Sequence, residues 1–369
     1  MTGLRLTRRR LLAGTALGLS MTIGFSGAQA QSKLGATYEE IVTGAKAEGK
    51  LVAWIVAPRS PETHKALIDA FNAKFGLNTQ LEWVPNPPVV SNTRAIAEMA
   101  SGKVSVDIVG GGAIEEVSTA TKAGLIKPYP WGDVFGKAMP AVKDLESLVL
   151  PEFKGTALAY QQITYVMAWN PTLIADDKVP AKLSDLTDPQ WQGKFAFNAF
   201  FLTPLDVVSY TAGADVAMEL GKKIFANKPI LEKGTPAVGR AVVTGTVPVG
   251  VTVSPIAEGS VRKQEPLKYK MMADYMPIVM IHLYVPENSP NPNTARLFAA
   301  WLAAEGSAIG DKFEPMERPG DANSKVAKMV AEQAAKSGAK VAEIKKASDM
   351  DVSAKFREAM SLLLSGQTK

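Results

Sequence analysis

The sequence predicts an α/β protein built from parallel βαβ units and spread over two domains. Two observations predict this. Apolar runs of strand length alternate with amphipathic stretches of helix length along most of the chain, in steps that suit strand, helix, parallel strand. A chain of 369 residues, 46% hydrophobic and 21% charged, also has an ordinary globular composition yet exceeds the size at which one core stops growing. No internal repeat or low-complexity segment competes with this reading.

The first thirty residues differ from the rest. Arg8, Arg9 and Arg10 follow Thr7, an apolar stretch runs from Leu11 to Phe25, and Ala28-Gln29-Ala30 supplies a small-residue cleavage pattern. This predicts a secretory signal peptide over residues 1–30, and Thr-Arg-Arg-x-Leu-Leu suits the twin-arginine route. The apolar stretch is shorter than the roughly 20 residues a bilayer span needs, so no integral membrane segment is expected after its removal. The signal also carries much of the charge. Removing Arg5, Arg8, Arg9 and Arg10 takes the formal net charge from +5 to +1, which leaves no electrostatic footprint for nucleic acid. With no cysteine in the chain, disulfides, thiolate metal sites and cysteine nucleophiles are excluded.

From Thr37 onward the elements read in order. Tyr38–Glu48 is an amphipathic helix, and Leu51 to Val56 is an unbroken apolar run, as in a strand buried on both faces. Ser60 caps a helix that begins at Pro61 and places Leu67, Ile68, Phe71 and Phe75 on one face. Strand 80–84, helix 92–100, strand 106–109 and helix 113–123, closed by Gly124, complete a first α/β set. The region from Pro128 to Pro151 reads as irregular. A long strand over 156–169 leads to a second set: strand 195–197, helices 205–212, 214–225 and 237–243, and strand 247–253. A strand over 276–285 and a helix over 293–304 return, and 323–369 reads as helices packed on the outside.

Three segments carry a family resemblance. Ser60-Pro61-Glu62-Thr63 opens the first crossover helix. Leu183 through Lys194 (LSDLTDPQWQGK) is similar to a "D-L-x-D-P-x-W-K-G-K" pattern. Pro286 to Ala300 (PENSPNPNTARLFAA), followed by WLAAEGS, is similar to "P-H-P-N-A-A-K-L-F" followed by "L-L-S-x-E-G-Q". In this order they resemble the periplasmic solute-binding proteins of ATP-binding-cassette (ABC) importers, in the subgroup of ferric-ion, thiamine, aminophosphonate and sugar-phosphate binders. The resemblance implies a type II-like two-lobed fold with two hinge crossings, near 157–168 and 275–282, and C-terminal helices. Residues 31–157 with 277–369 would form lobe one and 158–276 lobe two. It also implies a monomer in the periplasm that hands a small-molecule ligand to the membrane subunits of an ABC permease, with no cofactor and no catalysis.

Ligands of open α/β sheets bind outside the carboxyl ends of the strands, which here selects four loops. Arg59 and Ser60 precede a helix N-terminus suited to an anion, or are a solvated side chain and a plain cap. Gly111, Gly112 and Ala113 let a ligand approach the backbone, or make a tight turn. Thr203 and Ser254 each stand beside a proline that opens a helix, as caps or as ligand hydroxyls. Tyr160, Gln161, Gln162 and Tyr275 lie on the crossings, as a cleft floor or as packing. Paired hydroxyls and helix N-termini suit an oxyanion-bearing solute such as a phosphonate, sugar phosphate, sulfonate or carboxylate. Trp54, Phe200 and Phe201 leave an aromatic or cationic ligand open.

Two alternatives rank lower. The resemblance implies adjacent tyrosines after 245–251 for ferric ion, yet Thr252-Val253-Ser254-Pro255-Ile256 offers no phenolate. An exported hydrolase needs a nucleophile with a partnered base, and only His64 and His282 are present, one early in a helix and one inside a buried strand. A binding module serving a sensor would read the same as one serving a permease.

Overall fold

The computed structural model describes residues 33–366, so the expected signal peptide lies outside the described residues. Helix α1 (Tyr38–Glu48) begins where Thr37 and Glu40 form a reciprocal capping box, and ends where Gly49 turns left-handed at φ 63°. β1 (Lys50–Ile55), α2 (Pro61–Phe75), β2 (Gln80–Trp83), α3 (Pro88–Ala100), β3 (Ile108–Gly112) and α4 (Ile114–Lys122) follow. β1 shows why this region is α/β. Leu51, Ala53 and Ile55 enter one core with Phe71 of α2, while Val52 and Trp54 enter another with Ala95 of α3 and Val117 of α4. A strand covered by helices on both faces has no solvent side, and its sequence is accordingly an unbroken apolar run.

The stretch expected to be irregular holds two short helices, α5 (Trp131–Phe135) and α6 (Ala141–Ser147), each starting directly after a proline. Neither is longer than two turns, too short to show a helical period. Trp131 is buried and its indole N–H donates to the Gly155 carbonyl at 2.8 Å.

β4 (Leu158–Trp169), β5 (Phe195–Asn198), α7 (Leu205–Ala212), α8 (Ala214–Ala226), β6 (Ile230–Glu232), α9 (Thr235–Val243), β7 (Val249–Val253), α10 (Ser254–Arg262), β8 (Lys268–Lys270) and β9 (Tyr275–Tyr284) come next. The chain ends with α11 (Pro292–Trp301), a π-helical turn over Leu302–Gly306, α12 (Ser307–Gly310), α13 (Lys325–Ser337), β10 (Lys340–Ala342) and α14 (Ala347–Leu364). The strands run in the order β2-β1-β3-β9-β4-β7-β5-β6, with β10 on β9 and β8 on β4.

β4 and β9 organise the molecule. They pair antiparallel from Leu158 opposite Leu283 to Thr164 opposite Ile278. Beyond Thr164, β4 continues against β7 from Tyr165 to Trp169, while residues 282–284 of β9 pair with β3 on the other edge. Two cores flank the β1–β3 end and two others flank the β7–β5 end, so two α/β lobes share one pair of continuous strands.

The C-terminal residues pack against cores at both ends of the sheet. Leu297, Phe298 and Trp301 of α11 join the lobe-one core. Phe356 and Met360 of α14 join the lobe-two core with Leu205, Ala217 and Ile224, and Val326 of α13 packs with Val166, Ala168 and Ala196. The reason is a contact between distant parts of the chain. Gly221 on α8 leaves a hollow that the Met360 side chain fills, so α14 covers lobe two. Among the described residues no helix is long and apolar enough to cross a membrane.

Candidate functional site

Four strands, β1, β3, β5 and β7, lead into α2, α4, α7 and α10, and at each of these helix starts the chain places a carboxylate of its own. At α2, Ser60 is the N-cap and its hydroxyl accepts from Thr63 N at 3.1 Å. Glu314 reaches the same place: its carboxylate accepts from Arg59 N at 3.0 Å, Ser60 N at 2.6 Å and Thr63 Oγ1 at 2.9 Å. Burial pushes the Glu314 carboxyl up, but the donors from Arg59 and Ser60 outweigh it and hold the pKa below its ordinary value. This helix start therefore prefers a charged oxyanion even when partly buried.

At α4, Gly110, Gly111 and Gly112 are not a turn but the end of β3, bulged where Gly110 opposes Leu283 and Gly112 opposes His282. Gly111 has φ +94°, and a Cβ there would strike the Val56 side chain. Ala113 is the N-cap and brings no side-chain acceptor. Glu116 stands in the first turn near the N–H groups of Ala113 and of its own residue, which favour its charged form, but burial, then the charge of Glu115, outweighs them and raises its pKa to about 7.

At α7, Phe201 and Leu202 both hold positive φ (56° and 49°), a conformation that costs about 1–2 kcal/mol per residue. Thr203 does not cap the helix as expected. Its hydroxyl donates back to the Phe200 carbonyl, and Pro204 takes the cap position without a side-chain bond. Asp206, in the first turn, is buried and receives Arg357 Nε at 3.0 Å.

At α10, Ser254 is 1% exposed, so its hydroxyl is not presented to solvent. It donates to Glu317 Oε2 at 2.7 Å and accepts from Thr164 N at 3.2 Å. Gln162 of β4 donates through Nε2 to Glu317 Oε1 at 2.5 Å, and its backbone N–H donates to the Glu317 carbonyl at 2.9 Å. Burial raises the pKa of Glu317 despite the donors from Ser254, Gln162 and Thr164.

The structure therefore gathers Arg59, Ser60, Gln162 and Ser254 around one segment, 314–317, which runs from lobe one to the β4 hinge. A cavity of about 320 Å³ opens beside it, lined by Ser254, Glu258, Arg262, Asp311, Glu317 and Lys325. Gly111, Gly112 and Ala113 belong instead to the α4 start, which meets the Phe200–Pro204 loop through Glu115, Arg357 and Asp206. Four expected residues lie elsewhere. Tyr160 is fully buried, its hydroxyl donating to the Ala57 carbonyl at 3.3 Å, and Gln161 is buried in the hinge. Tyr275 lies with Lys182, Ser184, Asp215 and Glu219 in a depression on lobe two. Trp54 is a core residue, covered by the Arg94 guanidinium at 4.2 Å.

The acids and Arg357 were not singled out from the sequence. Glu115, Glu116 and Asp206 do carry a signal, since each stands in the first turn of its helix, where a carboxylate complements the dipole. Glu314, Glu317 and Arg357 come from distant chain segments and carry none.

The profile of the bacterial extracellular solute-binding proteins matches residues 57–309. Solved structures share the fold at low sequence identity. Iron-bound HitA from Pseudomonas aeruginosa superposes with a TM-score of 0.65 at 18% identity, covering 85% of this chain and 98% of its own. The periplasmic binding protein AfuA from Actinobacillus pleuropneumoniae, with fructose-6-phosphate bound, gives 0.64 at 18%, covering 86% and 98%. The substrate-binding protein of an ABC transporter from Agrobacterium tumefaciens gives 0.64 at 15%, covering 86% and 96%. No curated relative matches in sequence. With two α/β lobes on one pair of shared strands and a family profile over most of its length, the chain belongs to the bacterial extracellular solute-binding proteins, a non-enzymatic family that binds solutes.

Proposed function

We propose that the chain is exported through its N-terminal signal by the twin-arginine route and works in the periplasm as a monomer. There it captures a small oxyanion-bearing solute between its lobes and delivers it to an ABC permease. The observation that carries the solute class is Glu314. Three donors at the α2 N-terminus hold its carboxylate and keep its pKa low, so the donor set is already matched to an anionic oxygen. A carboxylate, phosphonate, sulfonate or sugar phosphate presents the same atoms and competes with Glu314 for them when the lobes part. That the fold neighbour AfuA holds a sugar phosphate is in keeping with this reading. Ferric ion has less support, because the segment after β7 offers Ser254 and Pro255 rather than tyrosines.

The lobes close because a ligand that touches both favours the arrangement in which it does so. A thermal-shift screen tests the proposal, using residues 31–369 against phosphonates, sugar phosphates, sulfonates, dicarboxylates, polyamines, thiamine and ferric citrate. A true ligand at a hundredfold excess over its Kd stabilises by about 2.7 kcal/mol. An oxyanion should raise the melting temperature, and more so in Glu314→Gln, where the internal competitor is weakened. A shift produced by polyamines or ferric ion and by no oxyanion would overturn the solute class.

A further inference from the structure

The two lobes are joined on the α4 side by a bridge made of the chain's own charges. Glu115 of α4, in lobe one, accepts from Tyr210 Oη at 2.8 Å and from Arg357 Nη2 at 3.0 Å. Tyr210 belongs to α7 and Arg357 to α14, both on lobe two. Asp206 of α7 accepts along the Nε edge of the guanidinium, 3.0 Å from Nε and 2.8 Å from the Nη2 that Glu115 shares, and the Phe201 ring lies 5.8 Å from it. The side chains are sheltered: Arg357 is 29% exposed, Glu115 18% and Asp206 4%. Asp206 fixes the guanidinium within lobe two, so the bonds to Glu115 are the ones that cross between lobes. A second crossing pair, Arg262 of α10 with Asp311 after α12 at 3.2 Å, is more exposed and therefore more screened by salt.

We propose that the Glu115–Arg357 bridge is a closure latch that sets the open–closed balance of the lobes without solute, with Arg357 as its positioning residue. The inference rests on the reading that the lobes close about a solute and specifies what holds them when none is bound. Loss of a charge-assisted hydrogen bond in a partly desolvated place changes the open-to-closed ratio by about tenfold or more. The helix α14 is then more than a cover for lobe two. It delivers to the cleft the one side chain that ties Asp206 to Glu115.

The test needs no solute. The chain has no cysteine, so two introduced cysteines label it uniquely. Val89 on α3 of lobe one and Val216 on α8 of lobe two are exposed and suit Val89→Cys and Val216→Cys. Energy transfer between dyes at these positions should fall in Glu115→Gln and in Arg357→Gln, fall no further in the double variant, and fall less in Tyr210→Phe. Arg357→Lys, which keeps the charge, should recover part of the closure. Raising salt should open the parent and leave Arg357→Gln much less affected. If Arg357→Gln loses its fold by circular dichroism, Glu115→Gln and Tyr210→Phe decide the matter, since neither removes the Arg357–Asp206 pair. Unchanged transfer in both of these would overturn the latch, as would an equal salt response in Arg357→Gln. Because dye distances are read without ligand and the solute screen without dyes, failure of one leaves the other to be judged separately.

Discussion

Glu116→Gln should stabilise the protein, and by an amount that depends on pH. The carboxyl of Glu116 is raised from 4.5 to about 7 by burial and by the neighbouring charge of Glu115. Between these values the folded chain keeps a proton that the unfolded chain has released. Unfolding therefore gives up a proton, and stability falls as pH rises through about 4.5 to 7. At about 1.4 kcal/mol per unit, the full displacement amounts to about 3 kcal/mol. Glutamine keeps the shape of the side chain but cannot ionise. The variant should gain less than about 1 kcal/mol over the parent at pH 5 and about 3 kcal/mol at pH 8. Urea unfolding of both proteins at the two pH values measures this, and taking the difference cancels the titrating groups that do not interact with Glu116. A gain that is the same at pH 5 and pH 8 would refute the reasoning, because a pure packing effect has no proton in it.

Burial lowers the pKa of His282 from 6.5 to about 4, so stability is fully present above about 6.5 and lost as pH falls toward 4; His282→Gln should flatten that loss, worth about 3 kcal/mol, in acid unfolding curves. Asp107 is fully buried and accepts from Val52 N, Ser289 Oγ, Asn291 N and Asn291 Nδ2 at 2.8–3.0 Å, tying β1 to the segment before α11; Asp107→Ala should cost about 3 kcal/mol or more in urea titration by leaving these donors unpaired. Gly111→Ala forces a side chain into the positive-φ bulge and against Val56, and should cost about 2 kcal/mol or more in the same assay, whereas Gly124→Ala, with open space at its Cβ, should cost less.

The fold was legible because its signals are local. The run Leu51 to Ile55 is apolar at every position because helices cover both faces of β1, and its end is marked by Pro58 and by Pro61 at the start of α2. The long strands β4 and β9 stood out by length. The short helices α5 and α6 did not, since one or two turns cannot display a 3.6-residue period. The placement of α14 was not legible either. Its apolar residues Phe356 and Met360 announce a buried face, but the hollow they fill is made by Gly221, more than a hundred residues earlier.

The site divides along the same line. Loops at strand ends can be found from the sequence, and Arg59, Ser60, Ala113, Thr203 and Ser254 do lie at or beside the starts of α2, α4, α7 and α10. What a helix start does depends on who else reaches it. Ser60 and Ser254 are both hydroxyls beside proline, indistinguishable in sequence, yet Ser60 stands beside a donor set that lowers the pKa of Glu314 while Ser254 is buried against a Glu317 whose pKa is raised. The opposite signs separate the two places physically. At α2, backbone N–H groups and the helix dipole more than offset the loss of water around a carboxylate; at α10, three side-chain donors do not. The proposed oxyanion solute is therefore assigned to the α2 start, where a charged carboxylate is already favoured, and not to the α10 start.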